Sequence, residues 1–288
     1  MFTSERAAIP RVAAIHDMSG FGRCSLTVAL PALSAMGVQC CPLPTAYLSA
    51  HTAFPGFTFL DMTGEMIKAA EHWKELNLRF DALYSGFLGG EEQIDVVADI
   101  FDSFREENTL VAVDPVMGDD GKPYKTYTPV MCRRMRELVE KADLILPNIT
   151  EAAILLEKPY DSVPVKPEDF KPWLEELSGD GRRSVIITGV RPTHCRIGQV
   201  YYDRANGNFG FIERPFVNRM FHGTGDLYAS VVVGALVHGK PLADSIDLAA
   251  EFVRECCELS FADGTSSSEG VRFETLLYRL KPIINGGD

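Results

Sequence analysis

The chain has 288 residues, with 40 acidic against 28 basic side chains, for a formal charge of −12 with histidine neutral. Hydrophobic residues make up 46% and charged residues 24%, the balance of a folded globular protein, which excludes a disordered, fibrous or disulfide-stapled chain. A sequence pI near 5.0 argues against nucleic acid and anionic membrane surfaces as partners, so any phosphate must be bound locally, against the net charge.

From the N-terminus, residues 11–15 predict a strand and residues 22–36 a helix. Strands follow at 38–43 and 81–87. The apolar run Leu110-Val-Ala-Val-Asp-Pro-Val116 ends in an acid and a turn, Leu144-Ile-Leu146 ends at Pro147-Asn148, and Ser184-Val-Ile-Ile-Thr188 ends at Gly189. Helical patterns occupy 91–107, 130–141 and 242–261. Strands apolar on both faces and separated by helices predict a mostly parallel sheet covered on both sides. Two stretches break this rhythm. Residues 47–62, rich in Phe, Thr, Gly and Pro, lack a helical period and predict a mobile flap. Residues 195–214 alternate around Asn206-Gly207, a hairpin signal. No linker, repeat or shift in composition divides the chain, so a single domain is expected over residues 1–288.

Seven cysteines, at 24, 40, 41, 132, 195, 256 and 257, include no C-x-x-C pair. An odd number in that pattern fits reduced thiols better than a zinc ribbon or a secreted disulfide framework. Glu5, Arg6, Arg11, His16 and Asp17 interrupt any apolar signal core near the start. The longest apolar run, residues 229–237, falls well short of the ~18 residues that span a bilayer. A cytoplasmic location is the expectation.

In parallel sheets ligands bind beyond the carboxyl ends of the strands. That rule singles out Asp17, Asp114, Asn148, Thr188 and the loop before Asp226. Three glycine patterns compete as phosphate loops. Gly234-Ala-Leu-Val-His-Gly239-Lys240 has Pro241 where a P-loop needs Ser or Thr for magnesium, and it ends a helix instead of opening one. Gly20-Phe-Gly22-Arg-Cys-Ser25 follows a strand, but Ser25 replaces the third glycine and no acid stands ~20 residues on. Gly223-Thr-Gly-Asp226 precedes the helical run 227–237. Glycines there free backbone N–H groups to point at one anion, and the helix dipole favours negative charge. Asp226 is then placed to take a proton from a hydroxyl attacking a phosphoryl group. An ordinary N-terminal capping loop would read the same way from these four residues alone.

Gly223-Thr-Gly-Asp226, Asp114-Pro-Val-Met-Gly-Asp119 and Pro147-Asn148-Ile-Thr-Glu151, occurring around predicted strands, resemble the ribokinase-like superfamily, and within it the vitamin B6 kinases. Leu48-Ser-Ala-His51-Thr52 looks like that group's flap motif, and Ser85-Gly-Phe-Leu88 like a second of its motifs. The resemblance implies a three-layer α/β sandwich with a mostly parallel sheet. It implies ATP-dependent phosphorylation of the 5′-hydroxymethyl group of pyridoxal, pyridoxamine or pyridoxine, with Mg²⁺ and in a homodimer, and it leaves a monovalent-cation requirement open. Position by position, Asp226 matches the catalytic base, and Gly223, Thr224 and Gly225 match the anion hole. Asp114 and Asp119 match acids near metal and nucleotide phosphates, with Asp114 and Glu151 on the metal side. Asn148, Thr188 and Tyr127 match nucleotide contacts. His51, Thr52 and Phe87 match residues around the pyridine ring, and residues 269–274 match the adenine side. Leu146 stands where the family usually has Thr. Asp17-Met-Ser19, on the substrate side, looks more like the hydroxymethylpyrimidine phosphate kinases of thiamine synthesis. Those kinases are one alternative, and a non-catalytic B6-binding protein is another. The intact Asp226 and its loop argue against the latter.

Overall fold

Short strands and longer helices alternate through the computed structural model of the chain, which describes residues 9–283. The strands are β1 (Arg11–Ser19), β2 (Gln39–Leu48), β3 (Phe59–Asp61), β4 (Ala82–Ser85), β5 (Leu110–Val113), β6 (Gly118–Asp119), β7 (Lys122–Pro123), β8 (Leu144–Ile145), β9 (Ser184–Thr193), β10 (Arg196–Asp203) and β11 (Asn208–Pro215). The helices are α1 (Leu26–Ala35), α2 (Thr63–Glu75), α3 (Glu91–Phe104), α4 (Pro129–Val139), α5 (Ile149–Leu155), α6 (Lys171–Ser178), α7 (Thr224–Val237) and α8 (Leu242–Ala262). One sheet runs in the order β11-β10-β9-β8-β5-β4-β1-β2-β3, and β6 and β7 form a small separate ladder. The six strands from β9 to β2 are parallel; at the two ends β3 pairs antiparallel with β2, β10 with β9 and β11 with β10.

The central strands are buried on both faces. In β1, Val12, Ala13, Ala14 and Ile15 are all fully buried. Ala13 and Ile15 join Leu83, Val111 and Val113 beneath α2 to α6. Val12 joins Tyr84, Ala112 and Leu144 beneath α1, α7 and α8. A strand whose successive side chains enter two different cores reads as continuously hydrophobic, and this alternation builds the three layers.

The strand ends differ from the sequence expectation in an instructive way. β1 continues through His16 and Asp17 to Ser19, polar residues that are nonetheless buried. β2 continues past Pro42 and Pro44 to Leu48. The two prolines lie one strand period apart, and β3 joins β2 only from Ala46, so their missing donors fall on an open edge. The expected flap over 47–62 is accordingly narrower. Its two ends pair, Tyr47 with Leu60 and Leu48 with Phe59, leaving a loop at 49–58. The hairpin around Asn206-Gly207 is present, with Asp203 paired to Asn208 and Gly207 at φ +72°.

Candidate active site

Asp114 follows β5, Asn148 follows β8, Thr188 lies in β9, and Asp226 sits in the first turn of α7. All four line one cleft of about 860 Å³, together with Asp119, Glu151, Gly223, Thr224 and Gly225. The topology explains the convergence. β5, β8 and β9 are parallel neighbours, so their carboxyl ends open on the same rim.

The loop before α7 is built to present backbone amides. Gly223 caps the helix with φ +76°, a left-handed conformation that suits glycine. The Thr224 hydroxyl donates to the Phe221 carbonyl at 3.1 Å, which leaves the first-turn N–H groups of α7 facing the cleft. Asp226 stands only half-buried on this turn, at the floor of the cleft. Burial pushes its carboxyl up to about 7, with repulsion from Asp17 adding to the rise and the Ser25 amide opposing it. A carboxylate tuned to that value suits general-base work near neutral pH.

Asp114 and Glu151 form the acidic wall. Burial lifts both carboxyls, Glu151 to about 8, and each is repelled by other carboxylates: Asp114 by Glu151 and Asp226, Glu151 by Asp119. Glu151 is fixed from the backbone, accepting from Asn148 N–H at 2.8 Å and Met117 N–H at 3.0 Å; with the Asn148 side chain it forms the capping box of α5. Asn148 also donates to the Gly118 carbonyl at 2.8 Å, tying the 114–119 loop to α5. The Asp114 carboxylate accepts no hydrogen bond among the described residues. No cluster of three metal-binding side chains exists there either. A hard cation shared between phosphates, water and one or two carboxylates fits this donor set, because its charge would relieve the repulsion.

Opposite charge comes from residues that sequence reasoning missed. The Arg191 guanidinium stacks 4.0 Å above the Phe216 ring, and Arg219 lies 5.7 Å from the ring centre of Phe261, both on the cleft. Only their spacing after strand ends could have flagged them.

The remaining expected residues lie outside that cleft. Asp17 is buried beside Asp226, accepting from Ser25 Oγ at 2.5 Å and Ser19 Oγ at 2.9 Å; burial raises its carboxyl despite these bonds. Thr52 is exposed on the flap loop. Phe87 is buried in the core, its ring centre 6.1 Å from that of Tyr127. Tyr127, expected at the nucleotide, is therefore a core residue, and Tyr124 lines the cleft instead. His51, expected to contact the pyridine, has both ring nitrogens engaged: Nδ1 accepts from Ala53 N–H at 3.3 Å, and Nε2 meets the Ser268 carbonyl at 2.6 Å. Residues 269–274, expected on the adenine side, clasp the β1–α1 loop. Arg23 N–H donates to the Glu269 carbonyl at 3.2 Å and its guanidinium pairs with Glu274.

The sequence model of the phosphomethylpyrimidine kinase family matches residues 28–270. The chain is 26% identical to the pyridoxal kinase PdxY of Corynebacterium diphtheriae, over 94% of this chain and 99% of that protein. Its fold is similar to a Bacteroides thetaiotaomicron protein described as a candidate phosphomethylpyrimidine kinase and crystallised with pyridoxal: TM-score 0.90, 41% identity, covering 95% and 96% of the two chains. It is likewise similar to the pyridoxal kinase of Lactobacillus plantarum, with TM-score 0.87, 30% identity and coverage of 95% and 97%.

Proposed function

The chain belongs to the phosphomethylpyrimidine kinase family of ribokinase-like enzymes, and we propose that it transfers the γ-phosphoryl group of ATP to the 5′-hydroxymethyl group of a B6 vitamer. The observation that carries this reading is Asp226, held near neutrality at the mouth of a glycine anion loop. Pyridoxal in the 41%-identical relative supports the pyridine over the pyrimidine acceptor.

In the proposed reaction Asp226 accepts the proton of the hydroxymethyl group as its oxygen attacks the γ-phosphorus. The bond from that phosphorus to the bridging oxygen breaks, and ADP leaves with the electron pair. The N–H groups at Thr224, Gly225 and Asp226 receive the charge on the transferred group, the kind of stabilisation on which phosphoryl transfer chiefly relies. Asp114 would hold Mg²⁺, with Asn148 and Glu151 behind it. Bound with the nucleotide, the ion would supply charge that neutralises the phosphates. Asp119 and Thr188 serve the nucleotide side, and Asp17 and Ser19 the acceptor side.

A homodimer belongs to the same proposal. Met18, Tyr47 and Leu60 are register partners on adjacent strands and are 44%, 46% and 59% exposed, an apolar row that a second copy would cover. Seven free thiols support work in a reducing cytoplasm.

A coupled ATP assay with pyridoxal, pyridoxamine, pyridoxine and hydroxymethylpyrimidine tests the function. The vitamers are expected to turn over with the highest kcat/KM. A tenfold preference for the pyrimidine over every vitamer would replace the acceptor, and vitamer binding without ATP consumption would reject the kinase reading.

A further inference from the structure

The flap meets the anion loop through two imidazoles. The ring centres of His51 and His222 are 4.8 Å apart, with planes inclined by 43°. His51 has no nitrogen to spare, since Ala53 and Ser268 engage both. Its ring fits against Gly22, where a Cβ would stand 2.2 Å from His51 Cδ2. His222 is the reverse case. Its backbone is clamped to the C-terminal segment, N–H to the Ser267 carbonyl at 3.2 Å and carbonyl to Val271 N–H at 3.0 Å. Its ring nitrogens have no hydrogen-bond partner among the described residues. The ring lines the phosphate cleft directly before Gly223, within electrostatic reach of Asp119.

We propose that His222 couples the two halves of the site: it donates from its free ring nitrogen to a nucleotide phosphate oxygen and supports the flap's His51 with its face. Nucleotide occupancy thereby favours the flap geometry that encloses the acceptor. The inference rests on the kinase reading above and makes His222 a positioning residue, with Asp226 remaining the base. Burial and the neighbouring His51 both disfavour a proton on His222, while Asp119 favours one. A triphosphate arriving beside the ring adds negative charge on the favouring side. It also supplies the acceptor that the imidazole N–H lacks, and a ring held by a phosphate presents its face to His51 in one orientation. His51 cannot serve this purpose itself, because its own hydrogen bonds tie it to the flap and to Ser268. The arrangement converts nucleotide binding into flap order by differential contact, which any coupling between two sites requires.

The test measures the Kd of the acceptor by calorimetry, with and without a saturating non-hydrolysable ATP analogue and magnesium. In the wild-type enzyme the nucleotide is expected to tighten acceptor binding at least fivefold. His222→Ala should bind acceptor alone within twofold of wild type and lose the tightening. His222→Phe keeps a ring against His51 but has no nitrogen to donate, and should lose it equally, with a melting temperature that verifies folding. His51→Ala combined with His222→Ala should show no further loss beyond either single variant. Full tightening in either His222 variant, or none in the wild type, overturns the proposal. If hydroxymethylpyrimidine proves to be the acceptor, the substrate reading fails alone, and the coupling is measured with that compound.

Discussion

The Arg23 carbonyl oxygen lies 1.9 Å from where a Cβ on Gly223 would stand, so the β1–α1 loop and the anion loop are interlocked through the bare backbone of one glycine. Gly223 also has φ +76°, so a side chain there is strained as well as crowded. Gly225, two residues on, differs on both counts: its φ is ordinary and a Cβ would meet nothing within 4 Å. Gly223→Ala is therefore expected to lower the melting temperature by several degrees and to abolish most activity. Gly225→Ala keeps its N–H and should leave stability nearly unchanged, but a methyl group that crowds the transferred phosphoryl group should lower kcat/KM by about 10²-fold through misplacement. Thermal melts and steady-state kinetics on both variants check the contrast. Equal destabilisation by the two would contradict it.

Asp226→Asn should keep ATP binding and reduce turnover by about 10²–10⁴-fold, the usual contribution of a general base. Because burial holds the wild-type carboxyl at about 7, kcat/KM should climb as pH rises through 7 and level off above it, while the residual activity of the variant stays flat there. The stability effect has the opposite sense. A carboxyl whose folded value lies above its ordinary 3.8 binds a proton more tightly when folded, so wild-type stability falls as pH rises from about 4 to 7. Asp226→Asn should thus melt higher than wild type at pH 8, with the gap shrinking toward pH 4. A gap of constant size across that range would reject the assignment.

Asp114→Asn removes the acid with no protein partner at the proposed metal position. It should raise the Mg²⁺ concentration for half-maximal rate by about 10–100-fold while the fold stays intact. Titrating magnesium at fixed ATP reads this directly. An unchanged magnesium requirement would assign Asp114 to nucleotide or structural contacts alone.

The parallel core was legible because strands such as Leu110–Val113 carry apolar side chains on both faces, a pattern that needs two cores. The rim residues were legible for related reasons: Asp114 and Asn148 follow the apolar strands, Thr188 closes the apolar run 184–188, and Asp226 follows the glycine loop that opens α7. What escaped was set by contacts between distant segments. Tyr127 and Tyr124 look equivalent in sequence, and only the packing of Phe87 decides which faces the cleft. The Nε2 of His51 meets the Ser268 carbonyl, 217 positions away, so no local pattern could show that this nitrogen is occupied. Arg191 and Arg219 owe their place to Phe216 and Phe261, whose rings hold the guanidinium groups over the cleft.

His16, fully buried in β1, has no hydrogen-bond partner for either ring nitrogen, and its ring centre lies 4.3 Å from that of Tyr84. Gly86 makes room for it: a Cβ there would fall 2.2 Å from His16 Nδ1, with no backbone strain involved. Gly86→Ala is a purely steric test, and overpacking of this kind should cost about 1–3 kcal/mol in urea unfolding at pH 7.5. An unchanged midpoint would mean that the histidine can move aside. Burial pulls the imidazole down to about 3, so it is neutral in the folded protein, whereas the unfolded chain binds a proton below 6.5. Stability should therefore drop as pH falls below 6.5, by ~1.4 kcal/mol per pH unit from this residue until its folded value is reached. His16→Leu removes that proton linkage and fills most of the same space. Between pH 6.5 and 5.0 the wild type should lose roughly 2 kcal/mol more than the leucine variant. Parallel stability curves for the two proteins across that interval would show that His16 takes up a proton while folded.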